Sequence, residues 1–226
     1  MPLWGFFLGP SILILLPALA LAIYAQYRVR STYSRYARVS TGSGITAQQA
    51  AKRVMEGAGI TGVSFEGIKG HLSDHYDPRG RVLRLSDPVS PSVSAVGVAA
   101  HEAGHAIQHA EGYRPLMLRT AIVPVANMGS QLALPLFFLG IIFRYQFLIT
   151  VGILAFSAAV LFTLVTLPVE FDASRRAVAA LRSTHVLSEH ELGGVKEVLF
   201  AAALTYVAAA AMAALQLFLL LSANRR

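Results

Sequence analysis

The chain has 226 residues, the length of one large domain or two small ones. Only 14% of its residues are charged and 55% are hydrophobic. Soluble domains carry about 25% charged residues, so this composition excludes a disordered chain and favours a membrane protein. Cysteine is absent, which excludes disulfides, thiolate zinc sites and cysteine nucleophiles.

Four segments contain no Asp, Glu, Lys or Arg, and each is longer than the roughly 20 apolar residues that cross a bilayer. They are residues 1–27, 120–143, 145–169 and 198–224. Four buried soluble helices of that length would be exceptional in so short a chain. A signal peptide is the alternative for the first segment, but no Lys or Arg precedes its apolar stretch. We therefore predict a mainly α-helical protein with a four-helix transmembrane bundle.

The basic residues predict the orientation of this bundle. Residues 28–119 and 170–197 together hold 16 Lys or Arg, and the other three are Arg144, Arg225 and Arg226. The positive-inside rule then places residues 28–119 and 170–197 in the cytoplasm and both termini outside. The net charge of +7 is thus a topology signal and predicts contact with anionic lipid headgroups, without a nucleic-acid partner.

Residues 28–119 have the local signals of a small α+β unit. The Ser- and Gly-rich residues 40–44 are typical of a hinge. Thr46 and Gln49 have the spacing of a capping box, which predicts a helix over residues 46–57.

Short strands are predicted at residues 63–65 and 82–85. The sequence Asp-Pro-Arg-Gly at residues 77–80 is typical of a turn, so a short β-hairpin is expected. Ser90 can cap a further helix with Pro91 at its first position.

The helix predicted for residues 91–110 contains the pattern H-E-x-x-H at His101, Glu102 and His105. Residues four apart lie on one helix face, so the two imidazoles can hold one Zn²⁺. Zinc lowers the pKa of a bound water to about 7, and Glu102 is placed to take its proton. A chance match on a polar helix face is the alternative. The apolar lead-in at residues 93–100 favours a buried zinc site.

A catalytic zinc site needs a third protein ligand. His109 continues the four-residue series but drifts about 80° from His101, so we expect it beside the site or at the surface. The longer pattern H-E-x-x-H-x-x-G-x-x-H is not present, because Gln108 and Glu111 stand at its last two fixed positions. A ligand from a distant segment is therefore expected.

Glu170 is the best distant candidate, because it follows the third span on the predicted cytoplasmic side, two spans after His105. Asp172 is its rival, but it lies about 200° away on a helix, so only one of them can face the metal. Alternatively, both carboxylates only pair with Arg175 and Arg176.

Four segments carry a resemblance to a known family. They are residues 74–78 (DHYDP), 82–86 (VLRLS), 101–109 (HEAGHAIQH) and 167–174 (LPVEFDAS). In this order, and with the four-span layout, they resemble the neutral zinc metallopeptidases of the YugP type. The resemblance implies a multi-pass protein of the bacterial inner (plasma) membrane, with one zinc ion in a compact zincin-like, gluzincin-type unit.

The related HtpX-type membrane proteases place their glutamate ligand in the pattern E-x-x-x-D. Glu170 matches that glutamate, while Ser174 stands where the aspartate would be. This comparison implies that Ser174 hydrogen-bonds a zinc-bound histidine.

His75 and Tyr76 precede the predicted turn. Either side chain is a candidate to stabilise the oxyanion of a tetrahedral intermediate, or only to hydrogen-bond the hairpin. The nearby strand is a candidate to pair with an extended substrate.

The sequence thus predicts an endopeptidase that hydrolyses membrane or membrane-proximal proteins at the cytoplasmic face. An intramembrane-cleaving protease and an inactive zinc-stabilised scaffold are the alternatives, and no oligomeric state is predicted. The predicted parts are a first span (1–27), a catalytic region (28–119), two further spans (120–169), a cytoplasmic segment with the third ligand (170–197), and a fourth span with a short tail (198–226).

Overall fold

The structure is a computed structural model that describes residues 10–70 and 72–224. The first nine residues of the predicted first span, His71, Arg225 and Arg226 therefore lie outside the described residues. Within the described residues, a 3₁₀ turn at Pro10–Leu15 is followed by six α-helices. These are α1 (Leu16–Tyr36), α2 (Ala47–Gly57), α3 (Val93–Ala110), α4 (Arg114–Ile142), α5 (Gln146–Ser183) and α6 (Glu189–Asn224).

Four of the described helices are long and apolar enough to cross a membrane, namely Leu13–Tyr36 with its leading 3₁₀ residues, α4, α5 and α6. Each extends past the charge-free segment that predicted it, because charged residues are good helix formers once they leave the apolar region. Helix α5 continues without a break from the third predicted span to Ser183, so Glu170 lies inside a helix.

The chain divides into two compact units. The first contains the described residues of Met1–Ala25, together with Leu118–Leu167 and Leu204–Arg226. Small residues bring helices α4 and α5 close together here, since a Cβ on Gly152 would lie 2.8 Å from the carbonyl oxygen of Ala133. Gln146 Nε2 donates to Asn224 Oδ1 at 2.7 Å, so the start of α5 meets the end of α6. The buried core of this unit contains Ala133, Phe137, Ile153, Phe156, Val160 and Leu220.

The second unit consists of Gln26–Met117 and Pro168–Ala203. Its core forms around α2 and α3, where buried alanines allow the two helices to pack closely. The predicted capping box is present: Thr46 Oγ1 accepts from Gln49 N, and Gln49 Oε1 accepts from Thr46 N. Residues 46–57 were therefore predicted correctly to within one residue.

Helix α3 ends at Ala110 as predicted, but its predicted cap was wrong. Ser92, rather than Ser90, is the N-cap, and its Oγ accepts from Ala95 N at 3.2 Å. Pro91 thus precedes the cap. Ser90 Oγ donates instead to Ser92 Oγ at 3.0 Å, so the residue predicted as the cap hydrogen-bonds the hydroxyl of the actual cap.

A three-stranded sheet of order β1-β3-β2 lies in the second unit, formed by β1 (Ser64–Gly67), β2 (His75–Asp77) and β3 (Val82–Leu85). Strands β2 and β3 form a β-hairpin around the predicted turn, and Asp77 Oδ1 closes this turn by accepting from Arg79 N at 3.0 Å. Strand β1 runs parallel to β3. Strand β2 was not predicted, and it forms one edge of the sheet.

Residues 40–44, the predicted hinge, are hydrogen-bonded to distant segments of the chain, and the hinge itself stays a prediction. Thr41 N donates to Pro91 O at 2.8 Å, and Ser43 Oγ donates to Val186 O at 2.8 Å. Ser40 also pairs with Ser92 in an isolated β-bridge. The Ser and Gly composition of this segment does not reveal these hydrogen bonds.

Candidate metal centre

Helix α3 carries two imidazoles on one of its own faces. His101 and His105 lie one turn apart, and their ring centroids are 4.8 Å from each other in an edge-to-face arrangement. The His105 side chain is buried and that of His101 is largely so. An α-helix gives this spacing to any i, i+4 pair, so the local fold follows directly from the sequence.

Glu170 of α5 completes a group of three candidate ligands. Its Oε2 atom lies 3.3 Å from His101 Nε2 and 3.7 Å from His105 Nε2, and the side chain is buried. Among the described residues, these are the three whose ligand atoms all lie within 4.8 Å of one another.

The donor set fits zinc. Two imidazole nitrogens and one carboxylate oxygen form a common ligand set of catalytic zinc sites. Ligand atoms about 2.1 Å from a tetrahedral zinc lie about 3.4 Å apart, close to the separations around Glu170. Zinc binding by these three residues stays a prediction, which the geometry favours.

Gly104 allows α5 to approach α3 at the centre. A Cβ at this position would overlap the backbone carbonyl of Ala173. The absence of a side chain therefore lets Glu170 and Ser174, which lie on either side of Ala173 in the sequence, reach the histidines of α3. Glycine in a helix interior costs about 1 kcal/mol relative to alanine, and the close approach explains its presence here.

Glu102 lies beside the two histidines and is 9% exposed. Its Oε2 accepts a hydrogen bond of 2.9 Å from the backbone amide of Tyr76 in strand β2. Burial raises the pKa of the Glu102 carboxyl, while the neighbouring His101 and His105 act in the opposite direction. The contact with a strand was not predicted, because no sequence signal marks a backbone donor.

Ser174 contacts a histidine of α3 as predicted, while the binding of zinc by that histidine stays a prediction. Its Oγ lies 3.1 Å from His101 Nδ1, so the hydroxyl contacts the ring nitrogen opposite the one that faces Glu170.

Of the two carboxylates, only Glu170 lies with the histidines, as predicted, but Asp172 also contacts α3. Its Oδ2 accepts from Gln108 Nε2 at 2.9 Å, and Gln108 Oε1 lies 3.0 Å from His105 Nδ1. The long Gln108 side chain reaches α5, and an angle measured on a helical wheel does not capture such a reach. Asp172 also pairs with Arg175 and Arg176, as the alternative interpretation proposed for it.

The remaining candidates, His75, Tyr76 and His109, are not part of the group of three. His109 is exposed, and its Nδ1 lies 3.0 Å from the hydroxyl of Tyr76. His75 Nδ1 lies 2.9 Å from Ser73 O, and its Nε2 lies 3.4 Å from Arg84 Nη1. His75 therefore contacts its own hairpin. Burial raises the pKa of the Tyr76 hydroxyl.

Comparison with known proteins gives this geometry its family context. Residues 11–225 match the profile of the family described as "Putative neutral zinc metallopeptidase". The chain belongs to this family. It is 45% identical to "Putative membrane protease YugP" of Bacillus subtilis (strain 168) over 219 residues, which cover 95% of this chain and 97% of the relative. No solved structure matches the chain. The resemblance seen in the sequence motifs is confirmed, and the metal that the family description names is zinc.

Proposed function

We propose that this member of the metallopeptidase family is a membrane-embedded, zinc-dependent endopeptidase that acts on membrane or membrane-proximal proteins. The observation that carries the proposal is the group of His101, His105 and Glu170, whose ligand atoms lie within 4.8 Å of one another beside the buried Glu102. The family description and the name of the Bacillus subtilis relative support a protease that works with zinc in a membrane.

The proposed roles follow from the contacts of each side chain. His101, His105 and Glu170 hold one zinc ion, which when bound supplies Lewis-acid activation of water and of the scissile carbonyl. Glu102 is the general base that accepts the proton of the attacking water. The amide of Tyr76 holds the Glu102 carboxylate in place through one of its two oxygens, which leaves the other oxygen to meet the water.

Strand β2 supports a mode of substrate binding. It pairs with β3 on one side, and among the described residues its other edge pairs with no strand. The Tyr76 amide on that edge points to Glu102. Because Glu102 already takes this amide, an extended substrate would pair with other main-chain groups of the edge and run past the base. We propose such strand addition as the way in which the peptide is presented.

The membrane arrangement is part of the proposal. The four long apolar helices cross the bilayer of the bacterial plasma membrane, the second unit faces the cytoplasm and both termini lie outside. This orientation rests on the excess of Lys and Arg in residues 28–119 and 170–197.

A purely structural zinc site has no need of a buried carboxylate beside its ligands, so Glu102 favours an enzyme over an inactive scaffold. The test uses the solubilised full-length chain and a casein-like substrate. We expect cleavage that stops with a zinc chelator and returns when zinc is added back. Cleavage that persists in the chelator would contradict a zinc-dependent mechanism.

A further inference from the structure

A buried amide side chain joins helix α5 to the candidate metal centre. Gln108 lies on α3 one turn after His105 and is 0% exposed. Its Oε1 lies 3.0 Å from His105 Nδ1, while its Nε2 donates to Val169 O at 2.8 Å and to Asp172 Oδ2 at 2.9 Å. Both amide hydrogens and the amide oxygen of this side chain thus have a partner in α3 or α5.

These partners fix the direction of each hydrogen bond. A backbone carbonyl and a carboxylate can only accept, so the amide nitrogen of Gln108 must face Val169 and Asp172. Its oxygen then faces His105 and must accept, which requires a proton on His105 Nδ1. A neutral imidazole with its proton on Nδ1 keeps a free lone pair on Nε2, and His105 Nε2 is the atom that faces Glu170.

Asp172 holds the amide in this orientation. Its carboxylate also forms ion pairs with Arg175 and Arg176, which balance its negative charge. A neutral amide between Asp172 and His105 also avoids a further carboxylate next to the buried Glu102 and Glu170, where like charges would repel.

The other histidine is oriented independently. Ser174 Oγ contacts His101 Nδ1 directly at 3.1 Å, without an intermediate group. The two imidazoles are therefore held by different neutral partners, both of which depend on α5.

We propose that Gln108 is a positioning residue of the metal centre: it holds His105 in the tautomer that presents Nε2 to the metal, and Asp172 acts on the centre only through Gln108. This inference rests on the proposed function, since it assumes that His105 binds zinc.

The test is a double-mutant cycle on the zinc affinity of the solubilised full-length chain, measured by competition with a chromogenic chelator. Gln108→Met keeps the length of the side chain and removes its hydrogen bonds. We expect it to weaken zinc binding by about 10- to 100-fold, the range for partners that orient a ligand. Asp172→Ala should weaken binding by a smaller factor, and it should add nothing in the Gln108→Met background.

Two comparisons serve as controls. Ser174→Ala acts on the other imidazole, so its effect should multiply with that of Gln108→Met. Glu111→Gln breaks an ion pair with Arg176 without touching Gln108, and it should leave zinc affinity within about twofold of the parent.

The inference is overturned if Gln108→Met binds zinc as tightly as the parent, or if its effect multiplies with that of Asp172→Ala. If Gln108→Met does not fold, Asp172→Asn decides, because an amide can still accept from Gln108 Nε2. Recovery of affinity relative to Asp172→Ala supports the inference, and equal affinity of the two variants overturns it. A parent chain that binds no zinc, or that keeps its zinc affinity in His101→Ala, would overturn the proposed function itself.

Discussion

The backbone amide of Tyr76 donates a hydrogen bond of 2.9 Å to Oε2 of Glu102. The carboxylate proposed as the general base is therefore positioned by the main chain of an edge strand, and no side chain of β2 is required for it. Any substitution that keeps β2 paired with β3 should leave this contact in place.

Glu102→Gln should abolish peptide hydrolysis and keep zinc. The amide has the same shape and its oxygen can still accept from Tyr76, but it cannot accept the proton of the attacking water. Metal content and turnover should be measured on one preparation, with the parent chain as the control. Near-normal turnover in a zinc-loaded variant would show that another group is the base.

Glu170→Ala should lower zinc affinity by well over the 10- to 100-fold typical of residues that only orient a ligand. It removes a donor atom that lies 3.3 Å from His101 Nε2 and 3.7 Å from His105 Nε2. Competition with a chromogenic chelator reports the affinity. His109→Ala is the matched control, because the exposed His109 contacts Tyr76 and should leave the metal bound. Full zinc affinity in Glu170→Ala together with loss of zinc in His109→Ala would require a new ligand set.

Gly104→Ala should lower the free energy of unfolding by about 1–3 kcal/mol, the usual cost of overpacking, and should weaken zinc binding as well. The added methyl group would overlap the carbonyl of Ala173 and force α5 away from the histidines. Denaturant titration of the solubilised chain and chelator competition measure the two effects.

Gly193→Ala is the matched control for this substitution. Apart from its chain neighbours and the nearby backbone of α6, no heavy atom of the described residues lies within 4 Å of a Cβ at this position, so alanine should be neutral or stabilise the helix by up to about 1 kcal/mol. Equal effects of the two substitutions would mean that the close approach at Gly104 has no energetic role.

Single cysteines at Ser43 and Ser222 should show on which side of the membrane the second unit lies. The chain has no cysteine of its own, so an impermeant thiol reagent reports only the introduced position. We expect Ser222→Cys to react in intact cells and Ser43→Cys to react only after permeabilisation. Labelling of Ser43→Cys alone in intact cells would place the second unit outside.

Sequence periodicity and charge predicted the long helices, the helix over residues 46–57 and strand β3, because each of these elements has a local signal. Strand β2 has only the three residues His75–Asp77, too few for an alternating pattern. It forms because β3 supplies its hydrogen bonds, and such a partner cannot be recognised from the strand's own composition.

At the candidate metal centre, too, some features have a local sequence signal and others do not. The face shared by His101 and His105 follows from helical spacing alone, and the grouping of Glu170 with them agrees with the prediction made from topology. The hydrogen-bonded link from Asp172 through Gln108 to His105 was not predicted, because it depends on the length of the Gln108 side chain, which reaches a neighbouring helix. A helical wheel describes the direction in which a side chain leaves its helix and omits its length.

All the α5 side chains that meet α3 at the centre come from the short stretch between Glu170 and Ser174. The contribution of α5 to the centre is therefore encoded in one uninterrupted peptide, and its side chains share one helical register. Inserting a single residue before Glu170 would rotate all of them by about 100° together, whereas a longer loop between α5 and α6 would leave them in place. Changes of length should thus be tolerated in the connections of this protein and excluded from the helices that form the centre.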